Sequence, residues 1–279
     1  MVPTRPSGRR GDSNVAVLLT WFLPGSGHLY LGRTAFGLIA LAVVEGLYVL
    51  GWFLCDGRTF EYLDPELRGP LATLLTPEAG NLGAMLLHLK TSSFGVLEPV
   101  PFPPAMVLGS FLTALSGVLN VFLAAHAHLF ARSGKVSNAA PQPAFLLVLA
   151  WLVPGLAHWR QGRRRRGLLV FALLFGLFAL GTWLAAGTNL SRERHFYYWS
   201  GQFLLGAPAL LGEVLFGRAR VTGELPWADV GLLYACMAGL LNVLAMLDVC
   251  GVAEKRWLEP STGVARAETD PPSTGEVPA

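Results

Sequence analysis

Residues 35–55, AFGLIALAVVEGLYVLGWFLC, carry a single charged side chain, Glu45, and residues 167–187 carry none. A run of about 20 apolar residues is what an α-helix needs to cross the hydrocarbon core of a bilayer. In that solvent no backbone group can turn to water, so the segment must satisfy its own N–H and C=O groups as a helix. Comparable stretches lie at 105–126 and 229–250. Only 14% of the 279 residues are charged, against about 25% in a soluble domain. The expected fold class is all-α, a multipass helical membrane protein. The short alternating strands of a membrane β-barrel are not found.

The chain repeats itself. Residues 21–33, WFLPGSGHLYLGR, and 151–163, WLVPGLAHWRQGR, share Trp, Pro-Gly, His and Gly-Arg at one spacing. Laid over each other at an offset of 130, residues 21–54 and 151–184 are identical at 14 of 34 positions. A second block, GSFLTALSGVLNV at 109–121, overlays GLLYACMAGLLNV at 231–243 at an offset of 122. Two blocks in one order indicate an internal duplication. The expected organisation is a basic arm at 1–13, a first membrane repeat at 14–131, a linker at 132–143, a second repeat at 144–251 and a disordered tail at 252–279. The tail is rich in Pro, Ser, Thr, Gly and Glu, a composition that buries too little apolar surface to fold. Arg5, Arg9 and Arg10 before an apolar run have the form of a signal peptide. The internal copy of the following motif favours a retained helix instead.

Each repeat holds three strong apolar segments: 14–31, 35–55 and 105–126, then 144–159, 167–187 and 229–250. Three crossings per repeat give about six transmembrane helices in two three-helix halves. An odd number per half makes the repeat inverted. With the N-terminus inside, this arrangement puts 14 Lys and Arg on the inside and 7 on the outside, as the positive-inside rule prefers. Whether the weaker stretches 80–89 and 200–217 cross is left open. The second contains Gln202, Pro208 and Glu213 and has the composition of a re-entrant or interfacial helix.

Pro24 lacks a backbone donor and bends or breaks its helix. Gly25 and Gly27 permit tight geometry and close helix approach, and Gly32 suits a helix end. The motif therefore reads as the turn of a helical hairpin: either a kink, a cap and a lipid anchor, or the wall of a small polar site near one membrane face. Candidates for a polar intramembrane site are His28, Glu45, Asn120, His158 and Asn242. A mid-span amide needs a hydrogen-bond partner, which makes Asn120 and Asn242 interhelical bonds or ligand contacts. A carboxyl group at the depth of Glu45 is a functional candidate by default, and Phe175 stands at the matching position. Asp248 matches His126.

Arg33, Arg163, Arg164, Arg165 and Arg166 are expected at lipid headgroups, where basic clusters attract anionic lipid and set topology. Three cysteines without CxxC spacing give no metal or disulfide framework. No metal, cofactor or catalytic residue is expected, and the basic run has no nucleic-acid-binding fold around it.

The pattern Pro24-Gly25-x-Gly27-His28-x-Tyr30-x-Gly32-Arg33 before an apolar helix resembles the small two-transmembrane-helix domain family. The whole chain also resembles bacterial membrane proteins with a P-G-x-G-H-x-x-x-G-R start. The likeness covers residues 15–55 and, more loosely, 145–187, where Ala157 replaces the second Gly and the Tyr is absent. It implies a helical hairpin fold and a bacterial inner-membrane location, and the Lys and Arg distribution leads us to expect both termini in the cytoplasm. The functional expectation is a structural or assembly component, bound to the bilayer, anionic lipids and other membrane proteins. The alternative is a small transporter or channel with a polar site at the repeat interface. An enzyme acting on lipid ranks last, because no motif supports it.

Overall fold

A computed structural model describes residues 11–63, 70–91, 101–132, 142–216, 223 and 225–258. The described residues form helices and turns, without strands. Four helices are long and apolar enough to cross a membrane: Thr34–Leu54, Met106–Arg132, Arg164–Leu184 and Ala228–Trp257. Six were expected. The segments that opened each half are the ones that fall short, and proline is the reason.

Helix α1 spans Ser13–Phe22. The Asp12 carboxylate caps it, accepting from the backbone N–H groups of Asn14 (2.7 Å) and Val15 (3.2 Å), and so satisfies donors the first turn leaves open. The helix stops before Pro24. Gly25 takes φ of 79° and the chain reverses into α2, Ser26–Tyr30. Gly27 of α2 lies so close to Ala16 and Thr20 of α1 that a Cβ would meet their atoms. The Asp12 N–H donates to the Tyr30 hydroxyl at 3.1 Å, so the end of α2 is back beside the start of α1. Ten residues of helix rise about 15 Å, half the roughly 30 Å of a bilayer core. The expected first crossing is a half-length hairpin. The second half copies it in α7, Gln142–Leu152, and α8, Leu156–Arg160, with Gly155 at φ 83°.

Helix α3, Thr34–Leu54, follows, then the short α4, Pro70–Thr73, and α5, Leu82–Thr91, and then the long α6, Met106–Arg132. Helices α3 and α6 run antiparallel. Gly51 lies against Gly109 and Thr113 at one end, and Phe36 stacks on His126 at the other, centroids 5.1 Å apart. The buried face of α3 is Gly37, Ala40, Val44, Tyr48 and Gly51. This spacing of three and four, with small residues, lets two backbones approach. Between α3 and α6 the chain makes a second hairpin from the opposite end. A 3-10 turn at Pro77–Gly80 reaches Gly117 in the middle of α6, and Gly83 lies against the Phe22 carbonyl. His88 of α5 is back at Gly57, bonded to its carbonyl at 2.9 Å. In the second half α9, Arg164–Leu184, and α12, Ala228–Leu258, are the long pair, and α10, Phe196–Phe203, with α11, Ala207–Phe216, makes the inner hairpin.

The two hairpins of each half meet at the same joint. Pro24 lacks the N–H that would have bonded Thr20, four residues back. The Asn120 side chain donates to that carbonyl instead, at 2.7 Å, and to the Gly80 carbonyl at 3.0 Å. Trp21 Nε1 donates to the Ala79 carbonyl at 2.8 Å. In the second half Asn242 donates to Ala150, four residues before Pro154, at 3.2 Å and to Leu204 at 3.0 Å. Trp151 Nε1 donates to Phe203 at 3.2 Å.

The halves pack through an aromatic core that includes Phe122, Trp151, Phe196, Trp199 and Phe203. Near the ends of α6 and α12, Arg132 pairs with Glu254, and His128 lies 3.8 Å from it. Near their starts, Arg192 donates to the Val107 carbonyl at 3.3 Å, while Ala185 at the end of α9 lies against Gly231. Helices α6 and α12 therefore run the same way. The halves are parallel copies, and the expected inversion is corrected. Two long helices per half, an even number, return the chain to its starting side, and the inversion argument needed an odd number.

Outward faces of the helices stay apolar: Ile39 is 64% exposed, Leu169 69% and Val214 81%. Helix α12 continues to Leu258, so residues 252–258, expected in the disordered tail, are helical. The basic arm up to residue 10, most of the linker and residues 259–279 lie outside the described residues.

Candidate functional site

Beside the first joint lies a buried polar layer. Glu78, in the 3-10 turn that meets α6, is 0% exposed. Its Oε1 accepts from the Thr113 hydroxyl at 2.8 Å, Thr76 and its own backbone N–H approach the carboxyl group and the Arg192 cation lies near it, while Oε2 has no well-formed hydrogen bond among the described residues. Asn81, on the same turn, is equally buried and donates to Ser116 Oγ at 3.4 Å. Glu45 of α3 reaches Asn81 from the other side. Next to these, the Tyr48 hydroxyl bonds His88 Nδ1 at 3.0 Å. Because His88 Nε2 donates to the Gly57 carbonyl, Nδ1 is the acceptor and Tyr48 the donor. The turn supplying Gly57 is held by Arg58, which bonds Glu61 through two nitrogens at 2.8 and 2.6 Å. Those bonds to Glu61 raise the Arg58 pKa further above its usual value.

The joint bonds fix which residues correspond in the second half. Ala79 and Phe203 both accept from a tryptophan, so Gln202 stands where Glu78 does and Leu205 where Asn81 does. The α6–α12 overlay puts Ala235 opposite Thr113 and Ala238 opposite Ser116, and Phe175 replaces Glu45. Gln202 is satisfied: it donates to the Asn189 carbonyl at 2.8 Å and accepts from the Asn189 amide at 3.0 Å. The positions beside the first joint thus carry two carboxyl groups and their counterparts none; the acid of the second inner hairpin, Glu213, is satisfied by Arg192 at 3.1 Å and Trp199 Nε1 at 3.0 Å.

A second polar group sits at the shared end of α6 and α12. His28 Nε2 lies 2.8 Å from His126 Nδ1, and both histidines are buried. Arg33 lies over the rings of Phe36 and Phe130, 5.1 and 4.7 Å from their centroids. In the second half His158 bonds Asp248 at 3.1 Å, and Arg163 pairs with the same carboxylate at 2.7 Å.

The five expected site residues do not form one site. His28 and His158 lie at the end of the long helices, and nine residues of α3, about 13 Å of rise, separate Phe36 beside His28 from Glu45. Asn120 and Asn242 bond backbone carbonyls at the two joints. Of the arginines expected at headgroups, Arg163 and Arg166 reach Asp248, while Arg164 and Arg165 are exposed. Glu78, Asn81, Thr113, Ser116, Tyr48 and His88 were missed. Part of the signal was available: the 109–121 overlay already set Thr113 against Ala235 and Ser116 against Ala238. In that overlay the differences, more than the identities, mark the site. Among the described residues no three His, Cys, Asp or Glu are grouped to hold a metal.

A family model described as "Family of unknown function (DUF6677)" matches residues 15–140 and 145–258. The chain belongs to this family. The two matched stretches follow the two halves of the structure. No curated protein and no solved structure matches.

Proposed function

We propose that the chain is an integral protein of the cytoplasmic membrane that crosses four times and handles a small cation, a proton or a monovalent metal ion, at the acidic layer of its first half. In this reading α3, α6, α9 and α12 cross. The α1–α2 and α7–α8 hairpins enter from one face, and the Pro77–Gly80/α5 and α10–α11 hairpins from the other. Lys and Arg of the described residues fall nine to four in favour of the face that holds the α6 and α12 C-termini, which supports the reading of that face as cytoplasmic. Both ends of the described chain then lie on that side.

The observation that carries the functional reading is Glu78, fully buried with one carboxylate oxygen lacking a well-formed hydrogen bond among the described residues, with Glu45 also in reach of Asn81. Carboxyl groups at membrane depth are costly and mark ion or proton paths. The parallel half keeps the same joint with a neutral, satisfied Gln202, so the joint itself does not require the acid.

Reconstitution into liposomes with an internal pH or Na⁺ reporter tests this. Flux above protein-free vesicles is expected, falling at least about tenfold in Glu78→Gln and in Glu45→Gln. Absence of flux from correctly oriented protein overturns the transport reading and returns the chain to a structural or assembly role. A cysteine at position 164 that labels from outside intact cells overturns the topology.

A further inference from the structure

A cavity of about 310 Å³ opens between the start of α7 and the ends of α8 and α12, lined among others by Phe145, Leu146, Arg160, Gln161, Arg256 and Trp257. That volume is at the lower end of the roughly 300–1,000 Å³ of small-ligand pockets. From this lining we infer a binding site for the phosphate head of an anionic phospholipid in the second half.

The polar lining is Arg160, Gln161, Arg256 and Trp257 and carries no carboxylate. Arg160 and Arg256 supply two guanidinium groups, the second donating through Nη1 to the Gln161 carbonyl at 3.4 Å. Neither has an ion pair among the described residues, because the nearby acids are committed: Asp248 to Arg163 and Arg166, Glu254 to Arg132. Trp257 Nε1 is buried without a hydrogen-bond partner, a donor that needs an acceptor. Gln161 is fixed by its bond to the Val249 carbonyl at 2.8 Å. The remaining wall is apolar, and Phe145, 58% exposed, faces outward. Guanidinium forks match phosphate geometry, and an apolar wall running from them suits an acyl chain. The cavity lies at the more cationic end of the long helices, where headgroups sit. At the matching positions of the first half, Tyr30 replaces Arg160 and Leu31 replaces Gln161, so only one half carries this lining. The inference rests on membrane embedding and is independent of flux through the first half.

Native mass spectrometry of the full chain in detergent, titrated with phosphatidylglycerol, phosphatidylcholine or inorganic phosphate, tests it. One phosphatidylglycerol per chain is expected, held at least about tenfold tighter than phosphatidylcholine. The double variant Arg160→Gln/Arg256→Gln should lose that preference. Arg160→Lys/Arg256→Lys should keep most of it and serves as the folding control, and Trp257→Phe should weaken binding about threefold. Equal retention of the two lipids overturns the site, as does an unchanged preference in the Gln variant. Inorganic phosphate that displaces the lipid at equal concentration assigns the pocket to a soluble anion and overturns the lipid.

Discussion

The same joint is built twice, and its surroundings differ. In both halves a proline opens a carbonyl, an asparagine four turns into a long helix closes it, and a tryptophan ties the opposing hairpin. Around the first joint stand Glu45, Glu78, Asn81, Thr113 and Ser116. Around the second stand Phe175, Gln202, Leu205, Ala235 and Ala238. What the halves share is what folding requires. What one has and the other lacks is free to serve chemistry, because its counterpart folds without it.

The largest effect should be common to both halves. Gly117 packs on the Pro77 backbone and Gly239 on the Gly201 backbone, with no room for a Cβ. Gly117→Val and Gly239→Val should each cost more than about 4 kcal/mol, read as loss of the monodisperse protein in detergent. Damage confined to one half would break the equivalence. Next come Asn120→Leu and Asn242→Leu, each leaving two buried carbonyls without their donor. A loss of about 1–3 kcal/mol is expected for both, measured by unfolding in mixed micelles, and a difference above about 1 kcal/mol would show that one joint is held by other means.

The acidic layer should then separate the halves. Thr113→Ala removes a donor from Glu78 and should destabilise by about 1–2 kcal/mol. Glu78→Gln should leave thermal stability equal or higher while flux is lost, since it relieves a buried carboxyl. Gln202→Glu in the other half should lower stability. A matched loss of stability in Glu78→Gln would reduce that residue to a structural part. The smallest difference concerns the arginines. Arg163→Ala breaks a partly exposed pair with Asp248 and should cost about 0.2–1 kcal/mol. Arg164→Ala, on an exposed side chain, should change unfolding by less than about 0.5 kcal/mol.

The helical class, the long apolar spans, the recurring Trp/Pro-Gly/His/Gly-Arg motif and the helix end at Gly32 were legible in the sequence, because period and identity are local properties. The number of helices long enough to cross was not. An apolar stretch such as 14–31 has the hydropathy of a span, and nothing local says that Pro24-Gly25 sends the chain back rather than merely bending it. The reversal depends on Gly27 fitting against Ala16 and on Asn120, a hundred residues away, taking up the Thr20 carbonyl. The parity error then propagated into the inverted repeat. For the candidate site, Glu45 stood out through its mismatch with Phe175, whereas Glu78 did not. It sits in a polar-looking connection, and its burial comes from packing against the middle of α6.

The even parity of each half has a consequence for how such a chain arises and is made. A unit that begins and ends on one side can be copied end to end with its orienting charges unchanged, and the second copy inserts as the first did. An odd unit must be flipped, which demands a precursor tolerant of both orientations or a rewriting of its flanking charges. An even unit asks for no such rewriting.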